Sequence, residues 1–210
     1  MNLLIFATFI LFTSILSIVI RRHNRSDKKH QEQFWEREAR ANHVRRKSLD
    51  NLAYISLPLE SLPTQAMADD AVVRDCLDTL EYLSHEKIVN LAGYTNTDLK
   101  LAYGTANITA LSQYDQNFTL LVQTLQKWAE ALHREGYARE ARQVLEYAVL
   151  AIQSDAGTSY RLLASLYDQE NEQAKVAALY DAALHLTSPS GKTIARTLLK
   201  AYPYLSAAKP

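Results

Sequence analysis

The chain has little of the residues on which many catalytic and metal sites depend. Its 210 residues include one cysteine and five glycines, and its six histidines are scattered. One cysteine allows no intramolecular disulfide, and no two histidines have the spacing of a structural zinc site. Five glycines are too few for most nucleotide-binding loops, and no nucleophile elbow is present. The sequence therefore predicts a protein that is not an enzyme and has no cofactor and no metal.

One fragment imitates the end of a phosphate-binding loop. Gly191, Lys192 and Thr193 follow one another, but such a loop needs a further glycine five positions before Gly191. Leu186 stands at that position, and the preceding residues form a helical pattern instead of the required strand. We therefore reject a nucleotide site here.

The chain also lacks net charge, but its charges are unevenly distributed. Lys plus Arg and Asp plus Glu each number 23, whereas Arg21 to Lys47 holds ten basic and four acidic residues, a net charge of +6. The remainder is therefore acidic. The composition predicts a basic segment beside an acidic domain, and the basic flank can attract anionic lipid headgroups.

A long uncharged hydrophobic run precedes this basic segment. Leu3 to Ile20 has the length of a helix that crosses a bilayer. A cleaved secretory signal is the alternative, but it needs a basic start and a small-residue cleavage site. The basic flank follows the run, so the positive-inside rule predicts a single-pass anchor with its amino terminus outside and its carboxyl-terminal domain in the cytoplasm. The unpaired Cys76 agrees with a reducing compartment.

Two stretches of the chain repeat each other at an offset of 35 residues. The pairs are Trp128 and Leu163, Ala129 and Ala164, Leu132 and Tyr167, Ala141 and Val176, Leu145 and Tyr180, and Ala148 and Ala183. The apolar spacing predicts helices from Asn117 to Glu135 and from Tyr137 to Ile152, with Gly136 between them. A repeat of two short helices must stack on its neighbour, and it presents a surface more readily than it encloses a catalytic site.

These residues resemble the tetratricopeptide repeat, whose signature is W-x2-L-G-x2-Y, A-x3-F-x2-A and then P. The second unit shows Tyr160-x2-Leu163-Ala164-x2-Tyr167, then Val176-x3-Tyr180-x2-Ala183, with Pro189 near its end. Both units have Ala in place of the signature Gly, and their spacing is 35 and not 34. The overall layout resembles that of bacterial membrane-anchored tetratricopeptide proteins. The resemblance implies an all-α helical-hairpin solenoid. An ordinary helical bundle with chance spacing is the alternative.

The rest of the chain surrounds this repeat. A helix is predicted from Asp69 or Asp70 to about Leu91 or Ala92, and Thr97 is a candidate cap for the next helix. Asp155 or Thr158 is expected to cap the first helix of the second unit, and a last helix, about Lys192 to Tyr202, closes the array. The predicted segments are residues 1–20 (anchor), 21–53 (basic stalk), 54–67 (proline-containing linker), 68–115 (helical cap), 116–189 (two repeats) and 190–210 (capping helix and tail).

The resemblance also implies where a partner would bind, because the first helix of each repeat lines the concave surface in that family. The corresponding residues are Gln123, Gln126, Glu130, His133, Thr158, Arg161, Ser165, Asp168, Thr193, Arg196 and Lys200. Three of them, Arg161, Arg196 and Lys200, form a predicted basic patch for a carboxylate or an acidic peptide.

The sequence thus predicts a membrane-anchored scaffold or adaptor that binds a protein or peptide through a helical groove. Its expected partners are that protein and the lipid bilayer, which it meets through Leu3–Ile20 and the basic flank; no nucleic acid is expected. The alternative is a non-catalytic regulatory or assembly subunit of a membrane complex, held through its transmembrane helix.

Overall fold

The computed structural model describes residues 12, 13, 16, 17, 28 and 30–206. In these residues the regular secondary structure is helical, apart from an isolated antiparallel bridge between Tyr54 and Val89, which confirms the all-α prediction. The helices are α1 (30–42), α2 (Ala71–Ser84), α3 (Asn96–Tyr103), α4 (Ile108–Arg134), α5 (Ala138–Glu146), α6 (Gly157–Gln169), α7 (Gln173–Leu184) and α8 (Ser190–Ala201). Short 3-10 turns cover Leu59–Ser61, Thr105–Asn107 and Pro203–Ser206.

The predicted anchor, Leu3–Ile20, lies outside the described residues except for residues 12, 13, 16 and 17. Among the helices of the described part of the chain, none combines the length and the apolar character that a bilayer crossing needs.

The chain divides into two compact units. The first comprises Met1–Ser48 and Thr95–Ile108, so it brings the described part of the basic stalk together with α3. Polar pairs join α1 to α3: Thr97 donates a hydrogen bond of 2.6 Å to Glu38, and Arg37 pairs with Asp98 at 2.5 Å. Arg37 and Glu38 thus hold α1 against α3 within this unit.

A buried asparagine secures the end of α3 in the same unit. The Asn107 amide donates to the carbonyl oxygens of Lys47 and Tyr103, both at 2.7 Å, and its oxygen accepts from Arg46 at 3.1 Å. Its side chain thus satisfies backbone groups that a simple helix end would leave unpaired. This contact connects two stretches 60 residues apart.

The cap of α3 differs from the prediction. Thr95, and not Thr97, caps the helix: its hydroxyl accepts from the Asp98 backbone N–H, and the Asp98 carboxylate accepts from the Thr95 N–H. Thr97 lies inside the helix, where its side chain is buried and bonds Glu38. The Thr95 hydrogen bonds, followed by the bond from Arg37, lower the pKa of Asp98 to about 2.

The second unit comprises Leu49–Tyr94 and Thr109–Pro210. Asp70 caps α2 as expected, accepting from the backbone N–H groups of Val72 and Val73. The helix ends at Ser84 and not near Leu91, because the following backbone bonds elsewhere: Ile88 accepts from Ile55, and Val89 donates to Tyr114. The buried face of α2 comprises Val73, Cys76, Leu80 and Leu83.

Helix α4 is longer than the sequence pattern indicated. It begins at Ile108, nine residues before the expected start at Asn117, and runs without a break to Arg134. Asn117 does not cap it; its buried amide donates to the Lys87 carbonyl over 3.0 Å. No glycine or proline interrupts residues 108–134, so nothing in the covalent chain stops the helix.

Helices α4 and α5 form one helical hairpin and α6 and α7 form another, and the turns of both have the same pattern of backbone hydrogen bonds. After α4, Gly136 has φ of 87°, and Tyr137 N donates to Leu132 O at 2.9 Å. After α6, 35 residues later, Asn171 has φ of 59°, and Glu172 N donates to Tyr167 O at 2.9 Å. Both are left-handed helix ends with the six-to-one bond of a Schellman motif.

Burial follows the same offset. Trp128 and Leu163 are both fully buried, as are Ala129 and Ala164. The pattern continues once more into α8, where Ile194, Ala195 and Leu198 are buried 35 residues after Ser159, Tyr160 and Leu163. Helix α8 therefore repeats the first-helix burial pattern of α6 and packs on both α6 and α7.

The cap of α6 differs from the prediction, and Pro189 lies at the start of α8. The residue before α6 is Ala156, with no side-chain cap, so neither Asp155 nor Thr158 performs that role. Helix α7 ends at Leu184 before Pro189 is reached, and Pro189 directly precedes α8. Proline is well suited to start a helix because its fixed φ matches and it needs no N–H partner there.

The proline-containing segment belongs to the second unit and packs on its hydrophobic core. Leu62 is buried, and Ile55, Leu57 and Leu59 are partly buried against the hydrophobic core. Its backbone carbonyls accept hydrogen bonds from side chains of α5 and of the π turn (Tyr147–Ala151) that follows α5. The Tyr147 hydroxyl, for example, donates to the Ser56 carbonyl over 3.0 Å. The half-buried residues 55, 57 and 59 alternate with the exposed residues 56, 58 and 60, so every second side chain contacts the core.

The two left-handed turns make a matched test of the repeat. Gly136→Ala should lower the free energy of unfolding by about 1 kcal/mol, because an L side chain strains a backbone with positive φ. A Cβ at Gly136 would meet no atom within 4 Å, so the cost comes from the backbone alone. Asn171→Gly should be neutral or stabilising, and Gly157→Ala, at ordinary φ, is the control. Urea unfolding of the three variants measures this, and equal losses at Gly136 and Gly157 would contradict it.

The capping box of α3 predicts an acid-sensitive element in the first unit. Because the folded pKa of Asp98 lies below its ordinary value of 3.8, its stabilisation is complete above pH 3.8 and declines as the pH falls toward 2. Thr95→Ala should raise the pKa of Asp98 toward 3.8, whereas Thr97→Ala should leave it low. Carboxyl carbon NMR shifts followed against pH measure both. A low pKa that survives in Thr95→Ala would refute this explanation.

Candidate functional site

The residues predicted to face a groove differ in how available their polar groups are. Eight are exposed and three are half-buried; the exposed ones are Gln123, Glu130, Thr158, Arg161, Asp168, Thr193, Arg196 and Lys200, and the half-buried ones are Gln126, His133 and Ser165. On α4, the Gln126 amide donates to Glu130 over 2.9 Å. On α6, the Ser165 hydroxyl donates to the Leu162 carbonyl. Several of these side chains are thus engaged with their own helices.

Asp168 lies at the far end of the α6 face, beside the carboxyl-terminal turn. Burial, and after it the negative charge of Asp168, raises the pKa of Tyr202 and of Tyr204. The turn Pro203–Ser206 is anchored by Leu205, which is buried in the core. The end of the predicted groove near Asp168 is therefore next to the chain's own tyrosines.

A shallow pocket joins α6 to α8. Its volume is about 190 Å³, and its lining consists of Gly157, Thr158, Arg161, Thr193, Ile194 and Thr197. The structure thus brings together three of the predicted residues, Thr158, Arg161 and Thr193, which are separated in sequence. Arg196 and Lys200 do not line it, although both are exposed on α8. A guanidinium with threonine hydroxyls can bind a carboxylate or another small oxyanion.

A second constellation, centred on Arg142 of α5, was not predicted. Arg142 Nε bonds Glu146 at 2.9 Å, and its Nη1 pairs with Glu170 and, at 3.0 Å, with Glu172. The Tyr167 hydroxyl donates to the same Glu146 oxygen at 2.9 Å, and the guanidinium lies 4.9 Å from the Tyr167 ring centre. The Arg142 side chain is only 18% exposed. Arg142 of α5, in the first hairpin, thus contacts the end of α6 and the turn that joins α6 to α7 in the second hairpin.

The titration of these groups reflects their contacts. Burial favours neutral Arg142, but its bond to Glu146 and the nearby carboxylates outweigh burial and raise its pKa. Burial, followed by the bond to Glu146, raises the pKa of Tyr167. The hydrogen bond from Lys175, and then the charge of Arg142, lower the pKa of Glu172. Arg142 and Glu172 therefore stay ionised at neutral pH, and the Tyr167 hydroxyl keeps its proton.

A pocket of about 460 Å³ borders this cluster. Its lining residues are Arg139, Arg142, Gln143, Glu146 and Glu170. The guanidinium of Arg142 is already paired with carboxylates. These contacts favour a structural role for Arg142, in which it joins the two hairpins. Among the described residues, no three His, Cys, Asp or Glu side chains are grouped so as to hold a metal ion.

Only the Arg142–Glu146 pair of this cluster could be recognised from the sequence. Arg142 and Glu146 are four residues apart on one helix, a spacing that places them on the same face. Glu170 and Glu172 lie in a turn 28 and 30 residues further on, and only the packing of α5 against α6 brings them to Arg142. Comparisons of this chain with protein-family models, with curated proteins and with solved structures find no match. The geometry of the chain itself is therefore the basis for a function.

The Arg142 cluster should be a main polar contribution to the stability of the hairpin pair. Arg142→Met keeps the length of the side chain but removes the cation that three carboxylates share, so the free energy of unfolding should fall by about 2 kcal/mol. Arg139→Met, on the same helix but exposed, is the matched control and should change it by less than about 0.5 kcal/mol.

Acid should reduce the difference between these variants. The folded pKa of Glu172 lies below its ordinary value of 4.5, so its stabilisation is present above that pH and is lost as the pH falls. Urea unfolding at neutral pH and at low pH measures both effects. A deficit in Arg142→Met no larger than that in Arg139→Met would show that the cluster does not hold the hairpins together.

Proposed function

We propose that this chain is a non-catalytic, membrane-anchored scaffold whose helical hairpins bind another protein. The observation that carries the proposal is the repetition, at 35 residues, of both the hairpin turn and the buried first-helix positions. Repeated hairpins present corresponding residues at a regular spacing, which suits an extended binding surface. The match in backbone bonds supports a tetratricopeptide-like arrangement, in which the first helices α4, α6 and α8 supply the binding face.

The corresponding positions on these helices give the face its chemistry. Gln126, Arg161 and Arg196 occupy one position in successive units, and Glu130, Ser165 and Lys200 occupy another. All these side chains are polar; the first position is Arg in two of the three units, and the second position differs in every unit, while the buried positions between them stay apolar. Apolar positions that recur beneath polar surface positions allow the surface to be adapted to a particular partner without a change in the core.

The membrane part of the proposal comes from the amino-terminal sequence. Leu3–Ile20 would cross the bilayer once, and the basic residues from Arg21 to Lys47 would keep the helical units on the cytoplasmic side. Anchoring raises the local concentration of the binding face near membrane partners, so weak contacts are sufficient for recruitment.

Site-directed crosslinking in membranes tests the proposed binding face. A photoreactive amino acid at Thr158, exposed on α6, should capture a partner protein. The same group at Ala178, exposed on α7, is the matched control and should capture little, because α7 is the second helix of its hairpin. Equal capture from the two positions, or none from either, would refute the proposal.

Exchange of the anchor separates recruitment from subunit assembly. If residues 1–20 are replaced by an unrelated apolar span, crosslinking from Thr158 should persist, because the anchor only concentrates the face at the membrane. Loss of capture together with correct insertion would instead support a subunit held in a membrane complex through its transmembrane helix.

A further inference from the structure

Helix α8 carries three basic residues in one line and no acidic residue. Lys192, Arg196 and Lys200 are each four residues apart, so they lie on the same face of the helix, about 6 Å from one to the next along its axis. All three are exposed. Like charges four residues apart destabilise a helix by a few tenths of a kcal/mol per pair, so this line carries a cost in the free chain.

These cations have no carboxylate partners among the described residues. The exposed bases elsewhere in the second unit often do: Lys127 pairs with Asp75 at 2.6 Å, and Lys175 pairs with Glu172 at 2.8 Å. No such ion pair is formed by Lys192, Arg196 or Lys200 in that part of the chain. Their positive charge is available to a ligand.

The pocket between α6 and α8 extends this basic surface. Thr193 and Thr197 line it from α8 and are one residue from Lys192 and Arg196, and Arg161 enters it from α6. Arg161 likewise makes no ion pair within residues 30–206. The Thr197 hydroxyl already donates to the Thr193 carbonyl over 2.9 Å, so the Arg161 guanidinium and the Thr158 and Thr193 hydroxyls are the donors for a ligand. A pocket of about 190 Å³ can hold one acidic side chain.

The charge of the face changes along the repeat, and this gives a bound segment a direction. The residue that corresponds to Lys200 in the repeat is Ser165 on α6 and Glu130 on α4. The acidic Asp168 lies two turns beyond Arg161, beside Tyr202 and Tyr204. Positive charge is therefore concentrated on α8 and at the start of α6, and it is absent from the corresponding part of α4.

We propose that α8 and the start of α6 bind an acidic, extended segment of the partner protein, with Asp or Glu at alternate positions. Carboxylates two residues apart in an extended chain are about 6.7 Å apart, close to the spacing of Lys192, Arg196 and Lys200. One carboxylate enters the Arg161 pocket, and its neighbours pair with the α8 line. This specifies the partner of the proposed function and rests on it, but the recognition does not need a free terminal carboxylate.

Binding of a synthetic peptide to the full chain tests this proposal. The chain is placed in phosphatidylcholine nanodiscs, and the labelled peptide is Ser-Glu-Ser-Glu-Ser-Glu-Ser with both termini blocked. Fluorescence anisotropy should show binding that weakens as salt is raised, because exposed ion pairs are screened. The peptide with Gln in place of Glu should not bind, and Ser-Ser-Glu-Glu-Glu-Ser-Ser, of the same composition, should bind more weakly because its carboxylates are out of register.

Matched variants locate the site. The pair Arg196→Gln and Lys200→Gln should weaken binding of the alternating peptide about tenfold, the effect of losing two exposed ion pairs. The pair Arg74→Gln and Arg139→Gln removes the same charge from exposed positions on α2 and α5, and should leave binding within about twofold. Equal weakening by the two pairs would mean that only net charge matters, and would overturn the proposal. So would equal binding of the two Glu peptides.

Two further outcomes separate this proposal from its alternatives. If phosphatidylserine in the nanodiscs abolishes peptide binding at constant ionic strength, the face is a lipid-binding surface and the proposal is wrong. If capture from Thr158 is undiminished by Arg196→Gln with Lys200→Gln, the acidic-segment proposal fails while the scaffold stands. If no protein is captured from Thr158 but the peptide still binds in register, the scaffold function fails and the site remains.

Discussion

The structure of the second unit depends on one backbone arrangement, the left-handed turn that closes each helical hairpin. The bond from Tyr137 N to Leu132 O, and its counterpart from Glu172 N to Tyr167 O, satisfy carbonyls that a helix end would otherwise leave unpaired. They also determine where the second helix of each hairpin starts. Because both turns use the same bonds, the second helices begin at corresponding residues, Ala138 and Gln173.

This common register makes the side-chain packing repeat. Once the hairpins close in the same way, Trp128 and Leu163 are placed at equivalent depths, and the small Ala129 and Ala164 allow the neighbouring helices to approach closely. The chain then uses the first-helix position a third time, in α8, without a second helix to follow it. Helix α8 combines buried Ile194 and Leu198 with an exposed basic line, so the last helix presents a polar outer face.

Polar contacts then connect elements that the repeat alone does not join. Arg142 binds three carboxylates and the Tyr167 ring, and so ties α5 to the end of α6 and to the turn after it. Such a nearly buried cation is worth keeping only with its partners in place, since the desolvation of an unpaired charge is costly. In the first unit, Asn107 has a similar role toward the Lys47 and Tyr103 carbonyls. These side chains tie the chain together across separations that helical periodicity does not encode.

The helical composition, the hairpin at Gly136 and the burial of the repeated positions could be predicted, because each depends on residues within one or two turns of each other. The same holds for the Asp70 cap and for the apolar face of α2. The predictions were wrong where residues distant in sequence form hydrogen bonds that a local pattern does not show. Thr97 has the chemistry of a cap, but Glu38 takes its hydroxyl, and α2 stops at Ser84 because the backbone beyond it bonds to residues 55 and 114.

What the sequence by itself determined is therefore the class of structure and the register of its repeat, since both follow from periodic burial and from one residue at each turn that accepts positive φ. The tertiary structure alone decided which polar groups are satisfied and which are left for a ligand. Arg142 and Arg161 are both arginines on helices of the repeat, yet one is surrounded by carboxylates and the other lines an open pocket. The difference lies in which residues of other helices pack beside each, and that is set by long-range contacts that no single helix contains.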